Sequence, residues 1–359
     1  MTELNHWFTT PWYEFMHARY HRHHLRSSSG DLETFSIAKE TRCSSMFGIQ
    51  SALIATQYAP RVHSIYLLMR DEGIELTYDA EGQPSERHGI RNLTITTETE
   101  EICTDTTSIV KQHHKTLERI VWSLDTSHDT DTIDNLNYPH LKKLYVNTSG
   151  WQLPCNAPAL EELEMTLQTI HAHPAVLNAI PPNLKKLALD LQQGLTTVTK
   201  SLIEHYLGRL ARQHQLKHLV IKFDHEDNVD SLLDVIIRND RLERLEITLW
   251  EWDSYQMGQF FDRLVKGCPR LVRLEVISKT VPSTNAMNTL KQLQHLKELA
   301  FLMHDFTNYE SFWSGIPTIL QLKSLMIYAP RTFKNDKAEY LKQQRPDLQI
   351  IVDTNTFRF

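Results

Sequence analysis

One six-residue pattern recurs along this chain and constrains its fold more than any other feature. A leucine is followed by two mostly polar residues, an apolar residue, a variable residue and a second apolar residue. Clear copies are LKKLYV from Leu141, LEELEM from Leu160, LKKLAL from Leu184 and LKHLVI from Leu216. LERLEI from Leu242, LVRLEV from Leu271, LKELAF from Leu296 and LKSLMI from Leu322 continue the series. Weaker copies begin at Val62, Ile90 and Leu117, and a degenerate one at Leu348. Eleven steps span the 286 residues from 62 to 348, or 26 per step.

Apolar residues at the fourth and sixth positions describe a short strand buried on one face. Between the strands the apolar spacing turns helical. Val198, Leu202, Ile203, Tyr206, Leu207 and Leu210 form one stripe, Leu232, Leu233, Ile236 and Ile237 a second, and Phe260, Phe261, Leu264 and Val265 a third. Asp253 with Gln256, and Thr307 with Glu310, have the spacing of capping boxes. Pro139, Pro158, Pro182, Pro269 and Pro346 each precede a strand leucine by two residues and end the element before it. No single strand–helix unit can bury its own apolar face, so the units must stack.

A period within 20–29 residues and this motif resemble leucine-rich repeats. The expected fold is therefore an α/β solenoid, with a parallel sheet on the concave face and helices or loops on the convex face. Residues 59–352 would form about twelve repeats, 1–58 an N-terminal segment and 353–359 a tail. The ninth position reads Ser149, Gln168, Gln192, Asp224, Trp250, Lys279 and His304, so the usual asparagine ladder is not expected. The convex side should be less regular in the first half. IELTYDAEGQPSERHG, from Ile74, favours a turn over a helix, and WQLPCNAP, from Trp151, leaves room for a single turn only.

GCPRLVRLEV from Gly267, with the helix before it, resembles the repeats of F-box/leucine-rich-repeat proteins. Trp12, then Tyr20, Arg22, His23 and Leu25, then LETFSI from Leu32, resembles the end of an F-box. Eleven residues precede Trp12, so most of the module that docks on the adaptor of a cullin-RING ligase is expected to be missing. The resemblance implies a substrate-recognition subunit like that of an SCF-type ubiquitin ligase. The alternatives are a stand-alone adaptor and a repeat-type regulator of a small GTPase. Regulators of that type carry a strongly acidic tail, whereas this chain ends TNTFRF.

Nothing in the sequence suggests catalysis or a cofactor. His17, His21, His23 and His24 have no cysteine or carboxylate near them at ligand spacing. The run Asp125 to Asp134 lacks the glycine and final glutamate of a calcium loop. His113 and His114 suit the carbonyl end of a helix. With a net charge of −6, overall attraction to nucleic acid is not expected. No apolar run reaches the eighteen or so residues of a membrane span. Cys43, Cys103, Cys155 and Cys268 show no paired spacing and suit a reducing compartment, which places the chain in the cytoplasm or nucleus. The sequons at Asn92 and Asn147 would matter only after secretion.

If the fourth and sixth residues of each copy point inward, the third, fifth and seventh point outward. Stacking aligns them into columns. Toward the carboxyl-terminal end these columns turn from charged to apolar. The expected partner site, for a protein on the concave face, comprises Arg244, Glu246, Arg273, Glu275, Ile277, Ala300, Leu302, Met326 and Tyr328. A competing expectation is that Phe357 and Phe359 cover its apolar part.

Overall fold

A computed structural model describes residues 62–70, 73–80, 89–97, 106–123, 133, 135–147, 156–192, 194–223, 229–249, 252–280, 282–302, 310–330 and 336–354. The strands are β1 (Val62–Arg70), β2 (Gly73–Ala80), β3 (Asn92–Thr97), β4 (Arg119–Ser123), β5 (Lys143–Val146), β6 (Glu162–Thr166) and β7 (Lys186–Leu191). They continue with β8 (His218–Phe223), β9 (Arg244–Thr248), β10 (Arg273–Ile277), β11 (Glu298–Leu302), β12 (Ser324–Tyr328) and β13 (Gln349–Asp353). All thirteen form one sheet in the order β13 to β3, then β1, then β2. The neighbours pair in parallel, except that β1 and β2 are antiparallel.

The helices are α1 (Thr106–His113), α2 (Leu167–Ala172), α3 (Thr197–Gln213), α4 (Asp230–Ile236), α5 (Ser254–Gly267), α6 (Thr284–Leu290), α7 (Glu310–Gly315) and α8 (Asp336–Gln344). From β3 onward, strand and connection alternate, giving a solenoid-like α/β arrangement. Short 3₁₀ turns follow α2 at Pro174–Asn178 and α7 at Ile316–Thr318.

Each feature of the six-residue motif has a structural cause. The leading leucines, from Leu117 to Leu348, are no more than 4 % exposed, and the fourth- and sixth-position residues of β4 to β12 are buried with them. Just before most of these leucines the chain makes a tight turn. Leu271 N donates to Cys268 O at 3.2 Å, and Leu348 N to Arg345 O at 3.0 Å. The five prolines occupy the second position of such turns, where a φ fixed near −65° is already the one required. The prolines therefore build the turn as well as ending the element before it.

Stacking then repeats one contact. The amides of the second and third residues of a copy share one carbonyl of the copy before: Lys142 and Lys143 donate to Glu118 O, and Glu243 and Arg244 to Lys217 O. Among the described residues, side-chain amides and a guanidinium bridge successive turns. Asn183 Nδ2 donates to Pro158 O at 2.8 Å, Gln215 Nε2 to Pro181 O at 3.0 Å, and Gln321 Nε2 to Leu293 O at 2.9 Å. Arg345 donates to the carbonyls of Pro317, Ile319, Leu320 and Leu322. Gly267 is needed for another reason: a Cβ there would lie 2.0 Å from Ile237 O.

The helices lie on the face of the fourth and sixth positions, because their buried residues share one continuous core with those strand residues. The capping box at Asp253 and Gln256 is present, with Gln256 N donating to Asp253 Oδ1 at 2.7 Å. Thr307 lies outside the described residues. The stripe expected on α3 is too long at its start, since Val198 is 73 % exposed. Val198 sits five residues before Ile203, about 140° around the helix from the buried line. The first part of the stretch expected to turn, residues 74–80, belongs to β2, which pairs along β1 at the sheet edge. The turn signals themselves, Gly82 and Pro84, lie outside the described residues. So does 148–155. The last strand, β13, extends through Asp353.

Candidate open-face site

The strand register turns the expected columns into geometry. Arg119, Lys143, Glu162, Lys186, His218, Arg244, Arg273 and Glu298 are successive Cα partners, as are Val121, Tyr145, Glu164, Ala188, Val220, Glu246, Glu275, Ala300 and Met326. A third column joins Thr166, Asp190, Lys222 and Thr248 to Ile277, Leu302, Tyr328 and Asp353. All nine residues expected at the site therefore share the face opposite the helices.

The polar part of this face is a paired network. His218 Nε2 lies 3.1 Å from Glu246 Oε1 on the next strand, Arg273 donates to Glu275 at 2.7 Å, and Arg273 lies 3.6 Å from Glu298. Arg244 is exposed, while Arg273 and Glu246 are half-buried. Glu246 and Glu275 sit opposite one another in the register, so two carboxylates compete for ionisation. Burial opposes the charge on Glu246, yet the His218 hydrogen bond and the cations His218, Arg273 and Lys186 bring its pKa below the usual range. Burial pushes Glu275 above that range, Glu246 adds to the rise, and hydrogen bonds to Arg273 and Tyr328 only partly offset it. Of the two, Glu246 is therefore the first to ionise.

Sequence reading missed the amino-terminal continuation of this network. Burial raises Glu164 above the usual carboxylate range, against the nearby cations Lys222 and Lys186, and Asp190 and Glu246 add to the rise. The Tyr145 hydroxyl beside it is also raised, by burial first and then by Glu164 and Asp190. The signal was present in the fifth-position column, but alternation alone does not distinguish a solvated carboxylate from a crowded one.

The apolar part departs from expectation. Ala300 is 3 % exposed, Leu302 3 % and Tyr328 7 %, so these three do not present an open contact surface. They form a second core, separate from the main one, with Ile277 and Met326 packed partly buried at its margin. Glu275 is also buried. The pleat does direct them away from the helices, but adjacent large side chains in neighbouring columns close over one another's flanks.

Elsewhere, Cys268 is buried, and burial pushes its thiol up to about 12, with Asp240 adding to the rise; the other cysteines lie outside the described residues. So do His17, His21, His23 and His24, and all of the Asp125 to Asp134 run except Ile133. Among the described residues no group of three or more His, Cys, Asp or Glu side chains could hold a metal ion, and no helix is long and apolar enough to cross a membrane. No protein-family model matches the chain, and no curated protein matches it.

Proposed function

We propose that the chain is a leucine-rich-repeat solenoid whose open sheet face binds a protein partner. Its role would be that of a substrate-recognition subunit of an SCF-type ubiquitin ligase. One observation carries the reading: ten in-register strands, β4 to β13, bring charged and apolar columns onto a face that the helices leave uncovered. At about 4.8 Å per strand and 3.3 Å per residue, this platform measures roughly 43 by 16 Å. That is close to the ~800 Å² each partner buries in a standard protein interface.

The charge pattern narrows the class. Cations and carboxylates are interspersed on the face, as where Lys143 pairs with Glu162 and Arg273 with Glu275 and Glu298, which suits the complementary surface of a protein better than the uniform charge of a nucleic-acid backbone. Arg244, Glu246 and Arg273 supply directional contacts, Ile277 and Met326 the accessible apolar ones. Glu275, Ala300, Leu302 and Tyr328 form the floor beneath them. Ligase membership rests on the resemblance of GCPRLVRLEV and of the Trp12 segment to F-box/leucine-rich-repeat proteins.

The test is affinity purification of the full chain beside a variant at the exposed Arg244, Arg244→Glu, and a Lys266→Glu control on the helix side. The open-face variant should keep its melting temperature and lose the partner that both others retain. Equal recovery from all three would refute the face assignment. Co-purification of a cullin and its adaptor with every folded form would support ligase membership; their absence while the partner remains would give a stand-alone adaptor.

A further inference from the structure

Two successive copies share a longer motif than the fold requires: RLERLEI from Arg241 and RLVRLEV from Arg270. Their leucines, Ile247 and Val276 are buried in the main core. Stacking does not demand the arginines. Other copies place Ala159, Asn183 or Gln321 where Arg241 and Arg270 stand, and Glu162, Lys186 or Ser324 where Arg244 and Arg273 stand.

The turn position has a structural use elsewhere, since Asn183, Gln215 and Gln321 donate from it to carbonyls of the preceding turn. Arg241 and Arg270 are exposed there and make no such bond among the described residues. Arg273 is neutralised by Glu275 and Glu298, and the Glu246 of the Arg244 strand is held by His218. Arg244, the register partner of Arg273, is therefore left exposed without an ion pair among the described residues. Like charges opposed on neighbouring strands repel. Asp240 is near, but its Oδ1 lies 2.8 Å from His214 Nδ1. That hydrogen bond first, and then the charges of His214, Arg241 and Arg270, hold the Asp240 pKa below its usual range.

We propose that Arg241, Arg244 and Arg270 anchor an acidic segment of the protein partner by pairing with its carboxylates. The inference deepens the open-face reading and rests on it for the partner. Arg244 opens β9 and Arg241 lies in the turn just before it, so the anchor stands where the turn edge meets the open face. A guanidinium offers a carboxylate two parallel N–H donors. The lysines along the same edge are occupied: Lys142 pairs with Glu118, Lys185 with Glu161 and Lys217 with Glu243. An acidic peptide fits better than a nucleic-acid strand, because Asp240, Glu243 and Glu298 interrupt the cations and oppose a continuous run of phosphates. The anchor stands apart from the apolar cluster of β11 and β12, whose expected cover, Phe357 and Phe359, lies outside the described residues.

Fluorescence anisotropy of a labelled hexaglutamate peptide with the full chain tests the anchor. Binding should weaken as salt rises, and Arg241→Gln/Arg270→Gln should raise the Kd about three- to tenfold. Lys142→Gln/Lys185→Gln, which removes the same charge elsewhere on the edge, should leave it unchanged. Equal losses in both variants, no binding at all, or tighter binding of an oligothymidylate or of phosphatidylserine vesicles would overturn the assignment. The same variants in the affinity purification separate the anchor from the open-face reading. A partner lost by Arg244→Glu but kept by Arg241→Gln/Arg270→Gln overturns the anchor alone. Peptide binding that depends on the arginines, with the partner recovered equally from Arg244→Glu, supports the anchor and counts against the reading.

Discussion

The two faces of one sheet are made from the same strands yet obey different rules. On the helix side the fourth and sixth positions from β4 to β12 are uniformly apolar and buried in one continuous core. On the open side the third, fifth and seventh positions carry paired charges from β5 to β11, then give way to a small separate apolar cluster. The helix side is constrained by stacking, since every unit must match its neighbours there. The open side is constrained only locally, pair by pair.

The sharpest way to break this contrast is to put a charge on the helix side. Leu245→Asp places an unpaired carboxylate at a fully buried position, at a cost of about 5 kcal/mol. Denaturant unfolding should show loss of at least the adjoining repeats; a stable Leu245→Asp chain would refute the register. A subtler comparison uses one strand. Leu299 and Leu302 lie on opposite faces of β11, and both are buried. Truncation to alanine should cost about 4 kcal/mol at Leu299 and about 2 kcal/mol at Leu302, where a small cluster can relax around the gap. Equal costs would mean that the second core is as closely packed as the first.

Titration separates the faces again. On the helix side His113 accepts a hydrogen bond from Ile90 N, and burial lowers its pKa to about 4. The unfolded chain, with a histidine near 6.5, binds the proton first. The stabilisation is therefore complete above pH 6.5 and declines as pH falls toward 4, by up to about 3 kcal/mol. Unfolding measured at pH 7 and pH 5 should show the decline, and His113→Gln should flatten it.

The smallest effects belong to charges on the strand edges and open face. Lys217 and Glu243 pair at 2.8 Å with both side chains about half exposed, whereas the adjacent His218 and Glu246 are only 18 % and 27 % exposed. Lys217→Ala should cost less than about 0.5 kcal/mol, and His218→Ala about 1 kcal/mol. Thermal melts of the two variants distinguish these values, and a reversed order would mean that solvent reaches the His218 pair.

The repeat was legible in the sequence because it is a local, periodic demand. A leucine that must fill the stack, a proline that must sit second in a turn and an alternation that must bury one face all leave marks within six residues. The register followed from them, as did the membership of all nine site residues on one face. The capping box at Asp253 was legible for the same reason, since a helix end is satisfied by residues three apart. Only the tertiary structure decided what lies beyond that range. Strand β2 exists because β1 offers it an edge, a partner that turn chemistry around Gly82 cannot reveal. Val198 is exposed because it lies about 140° around α3 from the line that packing buries. Above all, alternation assigned Leu302 and Tyr328 to the face away from the helices but could not tell whether they were wet. Direction is a property of the backbone, whereas burial depends on what else arrives at that face.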